Sequence, residues 1–282
     1  MASFKEIRKR INSIKSTRKT TSAMKMVSSA KLHKAENRIA CMLPYAEALH
    51  QIMEASLMDD PDALSRERPV GNVAIIAFAS DSSLCGAFNS NVARELQQVV
   101  GTYRQSPAQV TTFVYTIGRK VYEAIGKTDI TLSGHFENLT GKSDYPVIAD
   151  FAESLIRQFE KQEIDRVELI YHHFKSAGSQ LLVREQLLPV RLHQATKARH
   201  TDYIFEPSQR GLLKTLIPQS IKLQLYTALL DSNASEHAAR MVAMQTATDN
   251  ADELINELTI EYNKSRQQAI TNELLDIAGG HG

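Results

Sequence analysis

Tryptophan is absent, and the only two cysteines, Cys41 and Cys85, stand far apart and outside any metal-ligand spacing. That excludes a zinc-ribbon type of site and suggests free thiols in a reducing compartment. No run of about 18 apolar residues occurs, so no segment reads as a membrane-spanning helix. The N-terminus also lacks the apolar stretch of a secretory signal, and the expectation is a protein that stays where it is made. Low hydrophobicity is not among the deficits: 43% of the 282 residues are hydrophobic, which argues against disorder.

Glycine and proline are missing from long parts of the chain. All twelve glycines fall at or after Gly71, none lies between Gly211 and Gly279, and no proline interrupts residues 3 to 43 or 219 to 278. Both ends therefore read as long helices. At about 1.5 Å per residue they would extend roughly 60 Å and 90 Å. A compact globule of this length would be only about 50 Å across, so an elongated molecule is expected.

What these ends contain supports their pairing. In the first, Phe4, Ile7, Ile11 and Ile14 follow alternating steps of three and four, a register that Arg18, Thr21, Lys25 and Ser28 continue and that Leu32, Ala35, Ile39, Met42, Ala46 and Leu49 resume. In the last, Ala234, His237, Met241, Met244, Thr248, Ala251, Ile255, Leu258, Tyr262, Ser265 and Ala269 keep a heptad rich in small residues. Such a seam is thin. Residues 1 to 40 carry eleven Lys or Arg against Glu6 and Glu36, a net of +9, whereas residues 231 to 282 carry a net of −6. Opposite fields on two helices favour their association, although each screened pair contributes only about 0 to 1 kcal/mol.

The middle differs in kind. VAIIAFAS at 73 to 80 and VTTFVYTIG at 110 to 118 are β-rich, and each precedes helix-compatible sequence. YPVIADFAESLIRQFEKQ reads as an amphipathic helix, and RVELIYHHF and QLLVREQLLPV as further strands. The alternation predicts an α/β fold with a Rossmann-like, mainly parallel sheet. The expected organisation is a long antiparallel coiled coil of two terminal helices, residues 1–57 and 208–282, around a central α/β domain at 72–200.

The loop SDSSLCGAFNSN, Ser80 to Asn91, follows the first strand and opens a helix, the place where such a domain would hold a nucleotide. Only Gly86 stands where a phosphate fingerprint needs three glycines, and no G-K-[ST] follows. The competing expectation is a polar strand-to-helix turn capped by Asn or Ser. His172 and His173 are neighbours on a predicted strand, point to opposite faces and cannot chelate one metal together. Glu236 and His237 lie in the last helix without a second histidine at helical spacing, and Asp249, Asp252, Glu253 and Glu257 form a charged helix face. No nucleophile, acid and base constellation emerges, and no cofactor or metal is expected.

KEIRKRINSIKSTRKTTSAMKMVSSAKL, SDSSLCGAFNSN and SEHAARMVAMQTATDNADELINELTIEYNKSRQQAITNELLDIAGG together closely resemble the gamma subunits of bacterial F-type ATP synthases, in order and over nearly the whole chain. The resemblance implies two terminal helices wound as a rotor shaft inside a ring of alternating alpha and beta subunits, with the α/β domain at its base. It implies no catalysis by this chain: ion flow turns a membrane c-ring, and the shaft forces the catalytic beta subunits through their nucleotide states. It places Met24 and Arg240 near the lever loop of beta, and Gln267, Thr271 and Glu273 at the catch loop of the ring. Cys85 and its loop fall near the epsilon subunit and the membrane c-ring. The implied location is peripheral, on the cytoplasmic face of the bacterial plasma membrane. The family commonly reads S-D-R-G-L-C-G-G-F-N where this chain has Ser82, Ser83 and Ala87 in place of an arginine and two glycines.

Two rival functions have distinct signatures. A basic N-terminus can be a transit peptide or a nucleic-acid arm, but the heptad runs straight through it and no aromatic-basic clusters recur in the centre, so no nucleic acid is expected. A nucleotide-dependent enzyme built on the central domain would bind ATP tightly as an isolated chain.

Overall fold

The computed structural model describes residues 4–55, 64–107, 110–137, 139–142, 144–190 and 208–279. Two helices dominate it, α1 at Phe4–Ala55 and, at the other end, one at Gln209–Gly279. Between them run β1 (Asn72–Phe78), α2 (Phe88–Arg104), β2 (Thr111–Ile117), α3 (Arg119–Ile125), β3 (Leu132–Phe136), α4 (Leu139–Lys142), α5 (Tyr145–Glu160), β4 (Arg166–Ser176) and β5 (Ser179–Leu188), which makes the C-terminal helix α6. The chain divides into two compact units, Met1–Ser29 with Arg240–Gly282, and Ala30–Ala239.

In the first unit the heptad registers are the inward-facing positions. Ile7 and Ile11 are buried against Leu258, with Ile14 and Tyr262 packed beside them. Further along, Met244, Ala251 and Ser28 are buried, and Thr21 shares a hydrogen bond of 2.8 Å with Thr248. Arg18 donates to Asp252 at 2.7 Å. Since residue 7 pairs near 258 and residue 21 near 248, the helices are antiparallel. The Arg18–Asp252 pair realises the charge complementarity of the two ends, but both side chains are nearly half exposed, which keeps its contribution small.

The second unit is built on a five-stranded sheet in the order β3-β2-β1-β4-β5. β1 pairs in parallel with β2 and β4, β2 in parallel with β3, and β5 antiparallel with β4. β1 lies at the centre and is apolar on both faces, as a strand covered on two sides requires. Ala74, Ile76 and Phe78 face a layer from α5 (Ile148, Leu155, Phe159) that includes Leu49 and Met53 of α1 and Ile217, Ile221 and Leu225 of α6. Val73, Ile75 and Ala77 face Val92, Leu96 and Val99 of α2 and Val121 and Ile125 of α3.

Both terminal helices run through a proline, Pro44 in α1 and Pro218 in α6. A proline inside a helix costs about 3 kcal/mol; here Leu49, Met53, Leu213 and Ile217 bury the flanking turns in the sheet's core, which opposes that cost. β3 went unforeseen because LSGHF is short and contains Gly134, whose missing side chain leaves room for the Tyr115 ring. The start of α6 covers the sheet instead of belonging to a helix pair alone.

The seam of the first unit has a measurable consequence. Its apolar contacts are few, and at about 25 cal/mol per Å² they offset the ordering of two helices only narrowly. Residues 4–15 and 255–278 of the isolated chain are expected to exchange amide hydrogens fast, the β1 amides slowly, and the helix ends to gain protection on assembly. Protection of the isolated ends equal to that of β1 would mean that the seam is self-sufficient.

Candidate functional site

The loop after β1 is tightly built. The Ser80 N–H donates to Asn89 Oδ1 at 3.0 Å, the Ser80 hydroxyl to the Ser82 carbonyl at 2.6 Å, and Asn89 Nδ2 to Cys85 Sγ at 3.1 Å. Leu84 and Gly86 both take left-handed backbone angles, φ 68° and 60°. The expectation of an Asn or Ser cap is not met: Ala87 stands at the N-cap of α2 without a side-chain bond, because Asn89 turns back to hold Ser80. Cys85 is 1% exposed and cannot itself touch a partner. Ser82, Ser83, Leu84 and Ala87 form the loop's outer surface.

β4 runs past its pairing with β1, whose last register pair is Ala77–Ile170. Its histidines face opposite ways, as a strand demands. His172 is buried and stacks on Phe88 with ring centroids 4.3 Å apart, whereas His173 is exposed and bonds Asp231 of α6 at 2.6 Å. Burial raises the Asp231 carboxyl, and His173 opposes that rise. On α2, β4 and β5 a second polar cluster forms around buried Glu168, which accepts from the Tyr103 hydroxyl at 2.7 Å and from the exposed Arg184 at 2.9 Å. These groups are committed to one another. Among the described residues no group of three or more His, Cys, Asp or Glu is placed to hold a metal ion.

The remaining candidates lie on the long helices. Met24 is half-buried, while Met26 and Val27 beside it are exposed. Arg240 is 7% exposed, so its guanidinium is engaged within the chain rather than displayed. Gln267 and Thr271 are exposed one turn apart, and the Thr271 hydroxyl donates to the Gln267 carbonyl at 2.9 Å. The side chain of Glu273 lies outside the described residues. Sequence reasoning missed an outward apolar set, Ile260, Ile270, Leu274, Leu275 and Ile277. The signal was present: these residues fall off the heptad register that turns Leu258, Tyr262 and Ala269 inward.

Residues 3–282 match the family model described as ATP synthase. The ATP synthase gamma chain of Bacteroides fragilis is 53% identical over 99% of both chains, and that of Bacteroides thetaiotaomicron 50% identical over 99% of both. This chain belongs to the ATP synthase gamma-chain family. The fold has the same relation: a chain of the Euglena gracilis mitochondrial ATP synthase superposes with a TM-score of 0.71 at 22% identity, over 98% of this chain and 93% of that one. A chain of the Tetrahymena thermophila mitochondrial central stalk and c-ring structure gives 0.61 at 23% identity, over 81% and 99%.

The hydrogen bonds of the loop at Ser80–Asn91 are those of a closed structural turn. The Ser80 N–H is already taken by Asn89, and no lysine follows to meet a phosphate. The isolated chain is expected to bind no ATP tightly and hydrolyse none. Stoichiometric micromolar binding in a titration would contradict this.

Proposed function

We infer that this chain is the central rotor shaft of an F-type ATP synthase, a non-catalytic subunit that couples rotation to the nucleotide cycle of the catalytic subunits. The observation that carries it is the pair of antiparallel helices joined by a thin apolar seam, with single apolar side chains such as Met26, Val27 and Ile260 on their outer faces, in a chain of the gamma family. A helix pair buried in one fixed partner would present a contiguous apolar stripe. A bearing that slides past successive partners needs separate, adaptable contacts, for which methionine and single aliphatic side chains serve.

The mechanism is differential contact. Each orientation of the shaft must favour a different beta conformation, because a partner that touches all states equally shifts none of them. The chain acts as a member of the ATP synthase complex and is held peripherally: no described helix is long and apolar enough to cross a membrane. The proposed partners are the alpha and beta subunits, epsilon and the c-ring, on the cytoplasmic face of the plasma membrane. In this reading residues 1–57 and 208–282 are the shaft and 72–200 the base. Met24 contacts the beta lever loop and Arg240 supports that level from inside, Gln267, Thr271 and Glu273 meet the catch loop, and Ser82 to Ala87 around buried Cys85 meet epsilon and the c-ring.

Co-expression with the alpha and beta subunits, with purification through a tag on beta, tests the assignment. The chain is expected to be retained at one copy per ring. A complete alpha-beta ring recovered without it would overturn the reading.

A further inference from the structure

We propose that His172 is an acid-sensitive keystone: its protonation releases the start of α2, the Cys85 loop beneath it and the docked turn of α6 from the end of β4. The geometry is a convergence of two elements, α2 and α6, on one residue, with the Cys85 loop tied to the start of α2. From α2, Phe88, the first residue of the helix, stacks on the imidazole at 4.3 Å and 25°. From α6, the Ser235 hydroxyl donates to the His172 carbonyl at 3.0 Å. From the loop, Cys85 is bonded by Asn89, the residue next to Phe88. His172 itself is 3% exposed, and its Nδ1 has no hydrogen-bond partner among the described residues.

A ring in this position tolerates only its neutral form. A cation there would be desolvated and without a carboxylate on it, and it would sit against the N-terminus of α2, the positive end of the helix dipole. The titratable groups on the elements packed against it are Cys85 and Asp81 on the loop, Tyr171 and His173 on β4, and Asp231, Glu236 and His237 on α6. Asp231 is committed to His173 at 2.6 Å, and Asp81 accepts from the Arg119 N–H at 3.1 Å. Burial alone, with no charged neighbour contributing, depresses the imidazole from 6.5 to about 4.

The direction of the effect follows. Above pH 6.5 the ring is neutral whether the region is closed or open, and the packing is at full strength. As pH falls from 6.5 towards 4 the open form takes up a proton that the closed form refuses, so opening becomes easier. Between pH 7.5 and pH 5 the fraction open is expected to rise roughly 25-fold.

Cys85 reports the opening, because it is buried beneath the loop while Cys41 is exposed. The experiment uses the full-length chain and 4,4′-dithiodipyridine, which reacts with thiols at acid pH. The Cys85 rate, divided by that of Cys41 at each pH, is expected to rise about 20- to 30-fold from pH 7.5 to 5. In His172→Phe, which keeps a ring against Phe88 but cannot titrate, the ratio is expected to stay flat, and in His173→Gln it is expected to rise as in the parent. A flat ratio in the parent chain, or an unchanged rise in His172→Phe, would overturn the proposal. If His172→Phe does not fold, NMR titration of the parent chain decides. A His172 ring that protonates near 6.5, or amides of residues 86–92 that open without following its titration, would also overturn it.

Discussion

Met24→Lys in the assembled complex is expected to leave ATP hydrolysis measurable but to impair its coupling to ion transport. Met24 is half-buried on a helix whose neighbouring Lys25 also faces partly inward, and Met26 and Val27 on the adjoining faces are exposed. The native side chain is uncharged and flexible, so it adjusts to each passing partner at little cost. A lysine at this level would meet the acidic lever loop of beta that the proposed function places there. A new partly desolvated ion pair contributes of order 1 to 3 kcal/mol at one rotor angle, which slows escape from that angle about 5- to 150-fold. A steeper temperature dependence of turnover and a reduced ratio of ions moved to ATP hydrolysed are the expected readouts. Parental values of both would remove Met24 from the lever contact.

Gly118→Ala is expected to cost the α/β unit more than any other small substitution in it. Gly118 joins β2 to α3 at φ 98°, ψ 136°, a conformation that L-residues rarely adopt. Its surroundings leave no room: an added Cβ would lie 2.1 Å from the Ala79 carbonyl oxygen and 2.6 Å from its carbon. Those atoms are backbone and cannot rotate away. They are also pinned, since the Ala79 N–H donates to the Ile117 carbonyl at 2.8 Å and the Gly118 N–H to the Phe136 carbonyl at 3.0 Å. Relief requires moving the ends of β1, β2 and β3 together. A loss of about 3 to 5 kcal/mol is expected, a large part of the roughly 5 to 15 kcal/mol typical of a domain. Gly101→Ala is the contrasting case: it lies within α2, nothing occupies the space around its Cβ, and a gain of about 0.5 to 1 kcal/mol is expected. Urea unfolding of the two variants checks both signs. A Gly118→Ala midpoint at the parental value would mean that the turn is not strained by a side chain.

The parts of the fold that could be read from sequence are those in which a period is repeated. The heptads from Ile7 to Leu49 and from Ala234 to Ala269 turn inward as counted, and the apolar run of β1 lies at the sheet centre. The parts that could not be read depend on a neighbour supplied by the fold. LSGHF becomes β3 because Gly134 accommodates Tyr115 across the sheet. Asn89 looks like a cap, yet it bonds backward to Ser80, which the loop after β1 brings beside it. The resemblance offers Arg240 as a partner contact, yet it is buried, whereas Ile277, off the heptad register, is exposed as its position implies. In the proposed function such outward apolar side chains are available for contacts with partners.

Rotation observed directly tests the central claim. The alpha-beta ring, assembled with this chain, is immobilised, and a probe is fixed to the exposed loop through Ser83→Cys in a background lacking Cys41 and Cys85. On addition of ATP the account predicts that the probe turns in one direction and rests at one position for each beta subunit. A probe that stays still, or only diffuses, while the same immobilised rings hydrolyse ATP would contradict it.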